Sequence, residues 1–251
     1  MSSASVPGHQ ATDIPANDSS GEDVSVSLSE RVYQNNGNGM VIGLLDPKCR
    51  KVLDVGCGAG DNAALIRTHY PNCEIYGITM SSAEMERALN YMKECWVCDI
   101  EKGIPEGAQD MQFDAILFSH VLEHLKSPAD VLASFTRLLT KGGQVIIAVP
   151  NVMYFRMRLQ FLAGRFEYQP TGGTMDDTHL HFYTYFTADR YLLSKSSELK
   201  LKSKQVGAHL PLPFIRGRIL PNSVCKFCDD WVAKHLPNLF GHQVVIAAEK
   251  A

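Results

Sequence analysis

Short apolar runs separated by amphipathic stretches begin at Lys51 and continue to Val149. The runs are Lys51–Val55, Glu74–Ile78, Trp96–Cys98, Asp114–Ser119 and Gln144–Val149, the last almost wholly apolar. Between them, Asp61–Tyr70, Ala83–Lys93 and Pro128–Leu139 have helical spacing. Pro71 stops the first of these helices, and Pro128 stands in the first turn of the third, where a missing N–H costs little. Strands that are apolar on both faces and alternate with helices predict a parallel sheet covered by helices. Leu199–Val206 and Gln243–Glu249 read as two closing strands, an antiparallel pair, and Ala188–Ser197 and Val224–Leu236 as further helices. The fold class that follows is α/β, a doubly wound and mainly parallel sheet of seven strands carrying insertions.

The flanking regions break this rhythm. Residues 1–27 are rich in Ser, Asp, Pro and Gly, too polar to offset their own ordering entropy, and are expected to form a mobile tail. Residues 28–251 then make one domain, with helical stretches over Leu28–Leu45 interrupted by a turn at Asn35–Gly39. Two segments fall outside the strand–helix alternation, 151–186 and 209–242, and are expected to cover the strand ends as pocket-forming insertions.

Composition narrows the function classes. The chain has 251 residues and a net charge of -3, so bulk electrostatics give no support for a nucleic-acid partner. No apolar run reaches the ~18 residues of a membrane span, and the N-terminus lacks the basic start and apolar core of a secretory leader. Seven cysteines at irregular spacing suit free thiols, and a cytoplasmic location is the expectation.

Candidate chemistry starts at Val52-Leu53-Asp54-Val55-Gly56-Cys57-Gly58-Ala59-Gly60, a strand running into a glycine turn that opens a helix. Gly56 and Gly58 allow a sharp turn and close approach of backbone to a ligand. Asp54 and Asp61 flank the turn, and the spacing is Gly-x-Gly-x-Gly. An acid-flanked turn suits a cationic amino-acid ligand better than a diphosphate.

The segment resembles motif I of class I S-adenosylmethionine-dependent methyltransferases. Val121-Leu122-Glu123-His124-Leu125 is similar to the motif after the fourth strand in a large subgroup, and the likeness covers about residues 50–150. Leu180-His181-Phe182-Tyr183-Thr184 resembles a His-x-Phe-Phe-Thr-type segment of relatives that act on sugars and small metabolites. The resemblance implies S-adenosylmethionine as cofactor, with S-adenosylhomocysteine as product. It implies that Asp54, Gly56 and Gly58, with Cys57 and Gly60 in the same turn, hold the methionine part, that Asp99 and Ile100 flank the adenine, and that Ser119 and His120 line the site near the sulfonium. The second strand of such enzymes ends in an acid that grips the ribose. Thr79 stands there instead, so ribose is left to Thr79 with water or Ser81, and Met80 is expected against the adenine.

Methyl transfer from a sulfonium is an in-line displacement, in which the protein chiefly aligns the reactants. An alcohol acceptor also gains from a base. His120, Glu123 and His124 fall at i, i+3 and i+4, one face if this stretch is helical. His179 and His181 share a face if their stretch is extended. Three readings follow. These groups orient loops; or His120 or His181, with His124 beside them, serves as general base; or His120, Glu123, His124 and His179 or His181 hold a divalent metal. The last arrangement resembles the small-RNA 3′-end 2′-O-methyltransferases, which have a Glu where this chain has His120. Tyr33, Arg156, His179 and Tyr183 are expected to contact the acceptor. The expected activity is O-methylation of a small molecule or sugar-like metabolite with a His base. A metal-dependent RNA-end 2′-O-methyltransferase, an N-methyltransferase and a non-catalytic binding module are the alternatives.

Overall fold

A computed structural model of the chain describes residues 36–170, 172–208 and 221–251. The expected tail, Tyr33 and part of the second insertion lie outside the described residues.

Seven strands form one sheet: β1 (Lys51–Val55), β2 (Glu74–Thr79), β3 (Glu94–Val97), β4 (Phe113–Ser119), β5 (Leu139–Pro150), β6 (Leu199–Ala208) and β7 (Gly241–Lys250). Their order is β3-β2-β1-β4-β5-β7-β6. The first five run parallel, and β7 inserts antiparallel between β5 and β6. The chain begins in the middle of the sheet, builds outward to β3, and returns to place β4 on the other side of β1. That reversal opens a crevice at the carboxyl ends of β1 and β4, where ligands bind in sheets of this kind.

Strand periodicity builds the two cores. Leu53 and Val55 join Ile116, Phe118, Val145 and Ile147 on one face, while Val52 joins Ala115, Leu117, Ile146 and Ala148 on the other. Helices cover both faces, as the doubly apolar strands require. In chain order they are α1 (Gly39–Ile42), α2 (Asp61–His69), α3 (Ser82–Ala88), α4 (Pro128–Thr136), α5 (Phe155–Leu162), α6 (Ala188–Leu192), α7 (Asn222–His235) and α8 (Pro237–Phe240). Among the described residues, no helix is long and apolar enough to cross a membrane.

Some boundaries differ from the sequence reading. Lys141-Gly142-Gly143 forms a bulge inside β5. Phe113 and Ala115 of β4 face Leu139 and Gln144, so the extra β5 residues loop out, with Gly142 at φ 75°. Strand β5 therefore starts where the third helix was expected to end, and α4 stops at Thr136. Helix α6 ends at Leu192, short of Ser197. The Asn-Gly cluster makes its turn at Gly37, at φ 70°, and Gly39 already begins α1.

Candidate functional site

An open cleft of about 1990 Å³ lies over the ends of β1, β2 and β4. Its floor is the glycine turn. Gly56, Gly58 and Gly60 all have positive φ (72°, 54° and 90°). A Cβ on Gly56 would stand 2.3 Å from Val121 Cγ2, so the turn is pressed against the segment after β4. Gly56, Cys57 and Gly58 line the cleft. Gly60 serves packing instead, since a Cβ there would meet Ala88 Cα of α3 at 3.0 Å.

Asp54 is fully buried behind the turn. Asn62 Nδ2 donates to its Oδ1 at 3.5 Å, and its Oδ2 has no hydrogen-bond partner among the described residues. Burial raises its pKa to about 7, against the lowering effect of Asn62. It sits below the floor and shapes the turn from beneath. The Cys57 thiol is also buried, 3.7 Å from the Cys95 sulfur, and this contact together with burial pushes its pKa up.

The adenine side was expected at Met80, Asp99 and Ile100, and all three line the cleft. Met80 is 53% exposed there. Asp99 is tied into its own loop, accepting from the Glu101 N–H at 3.1 Å and pairing with Lys102 at 3.2 Å. Thr79 ends β2, buried, and its hydroxyl donates to Glu84 Oε2 at 2.5 Å.

Ser119 and His120 line the cleft from the end of β4. His120 is the one non-glycine among the described residues with positive φ, 58°, a strained conformation for its type. Its Nδ1 lies 3.2 Å from Glu123 Oε1 and its Nε2 lies 3.0 Å from Gln243 Oε1. Burial in the cleft wall pulls its pKa down, but the Glu123 hydrogen bond and charge, with Gln243, leave it above the ordinary imidazole value. Gln243 also accepts from Asn38 Nδ2 at 2.9 Å, and the Asn38 N–H donates to Asn62 Oδ1 at 2.9 Å. A chain of hydrogen bonds thus runs from Asp54 under the turn to Glu123 beyond β4. Asn62, Asn38 and Gln243 are far apart in sequence and carried no motif.

The expected helical face of His120, Glu123 and His124 does not form. A single 3₁₀ turn covers Leu122–His124, and His120 precedes it. His120 and His124 therefore lie on different sides of Glu123. His124 joins His179 instead, ring centroids 4.7 Å apart. Glu123, His124 and His179 each offer a ligand atom, all within 4.8 Å of one another, and His120 is not in this group. The surrounding bonds orient both rings. Thr178 Oγ1, which donates to Asp176 Oδ1, accepts from His124 Nδ1 at 2.9 Å. The Thr174 carbonyl accepts from His179 Nδ1 at 3.2 Å. Each ring keeps its Nε2 lone pair. Burial, the largest effect, lowers the His179 pKa and favours the neutral ring. Glu123 is fully buried, and its Oε2 has no hydrogen-bond partner among the described residues.

His181 does not join this cleft. Its Nε2 faces the Lys126 carbonyl at 3.3 Å, and its ring packs on Tyr183 and Tyr191. The alternation expected of an extended chain fails because the Leu180 and His181 N–H groups both donate to the Glu123 carbonyl, which bends the strand there. Tyr183 is buried beside it, off the cleft wall. Its hydroxyl has no hydrogen-bond partner among the described residues, and burial raises its pKa. Arg156 lines the cleft from α5, together with Tyr154 and Phe155. Helix α7 adds Asp229, Asp230 and Ala233 to the far wall.

A family model described as a methyltransferase domain matches residues 29–192, well over half of the chain. The ubiquinone/menaquinone biosynthesis C-methyltransferase of Desulfotalea psychrophila is 32% identical over 128 residues, 47% of this chain and 51% of that protein. The ubiquinone biosynthesis O-methyltransferase of Pseudomonas aeruginosa is 33% identical over 106 residues, 41% of this chain and 45% of that protein. The chain thus spans about half the length of these curated relatives. Among solved structures, a methyltransferase from Thermotoga maritima described as a possible histamine N-methyltransferase has a TM-score of 0.56 at 18% identity, covering 84% of this chain and 87% of that one. An S-adenosylmethionine-dependent methyltransferase from Archaeoglobus fulgidus has a TM-score of 0.54 at 20% identity, covering 81% and 87%. At these identities the structures attest the fold.

Proposed function

This chain belongs to the methyltransferase-domain family, and from that premise we propose that it is a class I S-adenosylmethionine-dependent methyltransferase that methylates an oxygen of a small-molecule acceptor, with His120 as the proton acceptor. The residues present fit the cofactor. The glycine turn leaves a bare backbone cradle that a Cβ on Gly56 would close, and Asp54 beneath it keeps a buried carboxylate oxygen with no hydrogen-bond partner among the described residues. Gly56, Cys57 and Gly58 would hold the methionine part, Met80, Asp99 and Ile100 would bound the adenine, and Ser119 would face the transfer region. When bound, the cofactor supplies a methyl group already activated on a sulfonium.

The rest of the reaction falls to this chain. Its walls must orient the acceptor in line with the methyl group and exclude water. His120 carries the proposal because it combines a strained backbone, a place on the cleft wall and a carboxylate partner. Glu123 Oε1 accepts from Nδ1 and so holds the ring's orientation. An acceptor hydroxyl that displaces Gln243 would meet Nε2, which can take its proton when the ring is neutral with its own proton on Nδ1. His181 is assigned an orienting part, since its ring supports the aromatic layer of Tyr183 and Tyr191. Arg156 is the cleft cation suited to an acidic group on the acceptor. Screening a metabolite extract with S-adenosylmethionine for a gain of one methyl would name the acceptor and its methylated atom. Full turnover of an alcohol acceptor by a folded His120→Asn variant would refute the base.

A second reading rests on the convergence of Glu123, His124 and His179. A divalent cation there would use one carboxylate oxygen of Glu123 and one ring nitrogen from each of His124 and His179, whose rings are oriented by their hydrogen bonds as in protein metal sites. Metal analysis of the purified protein, with turnover before and after a chelator, tests it. Absence of bound metal and unchanged turnover would exclude it.

A further inference from the structure

Two cysteines meet beneath the glycine turn. Cys57 is the second residue of the turn after β1, and Cys95 lies on β3, on the far side of β2. Their sulfurs stand 3.7 Å apart, both residues are 6% exposed, and both are free thiols. Strand β2 leaves the space for this contact. Its Gly77 pairs with Asp54 of β1 on one side and with Cys95 on the other. A Cβ on Gly77 would stand 2.8 Å from Cys57 Sγ, so any side chain there would push into the sulfur. We propose that Cys57 and Cys95 are an oxidation site for peroxides, closing as a disulfide over Gly77 and distorting the cradle above it. The site itself stands on the sulfur geometry; its effect on cofactor binding rests on the S-adenosylmethionine reading above.

Cys57 lines the cleft and Cys95 does not, so a peroxide reaches Cys57 first. The Cys57 thiolate attacks one peroxide oxygen. The O–O bond breaks, a sulfenic acid forms, and the leaving oxygen departs as water with the thiol's proton. The Cys95 sulfur then attacks the Cys57 sulfur. The S–O bond breaks, the S–S bond forms, and the second oxygen leaves as water with the Cys95 proton. Two thiols lose two electrons, and hydrogen peroxide gains them. The Cys95 contact and burial hold Cys57 as the thiol, so the first step is slow and the second, with its partner already in contact, is fast. A disulfide needs its sulfurs about 2.05 Å apart, so the pair must close by about 1.7 Å. Strand β3 is a four-residue edge strand, and Cys57 stands between two glycines of positive φ, so both partners can shift. The shift reaches the cleft through the backbone. The Gly56 and Cys57 N–H groups both donate to the Ile78 carbonyl, at 2.8 and 2.9 Å, and drawing Cys57 toward β3 strains these bonds and moves the turn.

The test uses the full chain and needs no acceptor. The reduced protein is treated with hydrogen peroxide over a time course, with and without S-adenosylhomocysteine. Remaining thiols are then alkylated under denaturing conditions, and the digest is read by mass spectrometry beside calorimetry with S-adenosylhomocysteine. A peptide pair linked through Cys57 and Cys95 should appear, and affinity should fall at least about 10-fold in step with it. Dithiothreitol should reverse both changes, and bound S-adenosylhomocysteine should slow both by covering the turn. Oxidation of the half-buried Cys73, Cys98 and Cys228 without a Cys57–Cys95 link overturns the proposal. A link that leaves affinity unchanged, or a loss of affinity that precedes the link, overturns its effect on the cradle. Failure of the reduced protein to bind S-adenosylhomocysteine would strike the cofactor reading instead, while the linked peptides would still establish the oxidation site.

Discussion

On one side of the cleft, Gly56–Gly58, Thr79–Ser81 and Asp99–Ile100 come from the ends of three adjacent parallel strands, β1, β2 and β3. On the other, Tyr154–Met157, Gln169, Gly172–Asp176, Thr178, His179, Asp229, Asp230 and Ala233 come from connections and the peripheral helices α5 and α7. The first wall is locked from behind by both cores, and its polar groups are tied to one another. The second is flanked by exposed apolar groups that do not line the cleft: Leu162 is 85% exposed, and Phe166 and Tyr168 are more than half exposed. A cofactor common to a whole family needs a rigid cradle, whereas acceptor choice is carried by loops on that scaffold. Substitutions on the two walls should therefore have different consequences, and the seam between them, where His120 sits, should be the most sensitive.

Replacing the seam residue gives the largest effect. His120→Asn removes the imidazole while keeping a residue that tolerates positive φ. If His120 takes the acceptor proton, turnover should fall about 100- to 10,000-fold, the range for loss of a general base. Affinity for S-adenosylhomocysteine should change little. Equal losses in cofactor binding and turnover would mean that His120 belongs to the cradle.

The cradle itself comes next. Gly56→Ala forces an L-residue to φ 72° and drives its Cβ to 2.3 Å from Val121. Left-handed strain and overpacking together should cost about 3 kcal/mol of stability and most of the cofactor affinity. Adding Val121→Ala should restore part of the stability, because it removes the clash and leaves the strain. Denaturant unfolding and calorimetry read both. Full tolerance of Gly56→Ala would show that the turn is not held as tightly as its contacts imply.

Asp54 sharpens the comparison through pH. Its pKa is raised to about 7 in the fold, mainly by burial, from an unfolded value near 3.8. Between these values the folded protein holds a proton that the unfolded chain has released. The acid therefore destabilises the fold fully above about pH 7, and stability is regained as pH falls toward the unfolded pKa. Between about pH 7 and pH 5 this gain should be about 2 kcal/mol, by the linkage of pKa to stability. Asp54→Asn should flatten that dependence, stabilise the protein at neutral pH and weaken cofactor binding. Unfolding curves across this range, wild type against variant, check the sign; parallel curves would contradict it.

The contrast between the walls also explains which features can be read along the chain. Parallel strands such as β4 and β5 bury both faces, so Ile116–Phe118 and Val145–Val149 announce themselves as apolar runs. The glycine turn is visible because only glycine adopts its backbone freely. The histidines were misleading for a physical reason. Positions 120, 123 and 124 have helical spacing, but Val121 packs on Gly56 and the chain turns as 3₁₀, which parts His120 from His124. His181 looked like a partner of His179 until the Glu123 carbonyl took both neighbouring N–H groups. Glu84 has the appearance of a surface acid on a helix, although the Ser81-x-x-Glu84 cap spacing places it at the helix start beside β2. Long-range pairs such as Asn38–Gln243 leave no local pattern.

The smallest effect is expected beside the acceptor wall, at Leu162, the last residue of α5 and outside the cleft lining. A leucine that is 85% exposed gains almost nothing from burial, so Leu162→Ser should change stability by less than about 0.5 kcal/mol. Cofactor affinity should also stay the same, since the residue belongs to neither the cradle nor the seam. Any change should appear in the KM for the acceptor alone, because α5 contributes Phe155, Arg156 and Met157 to that wall. Thermal melts and calorimetry with S-adenosylhomocysteine, run beside Gly56→Ala, make the comparison direct. If Leu162→Ser weakened cofactor binding as much as Gly56→Ala, the walls would be one mechanical unit, and the division between rigid cradle and adaptable acceptor face would fail.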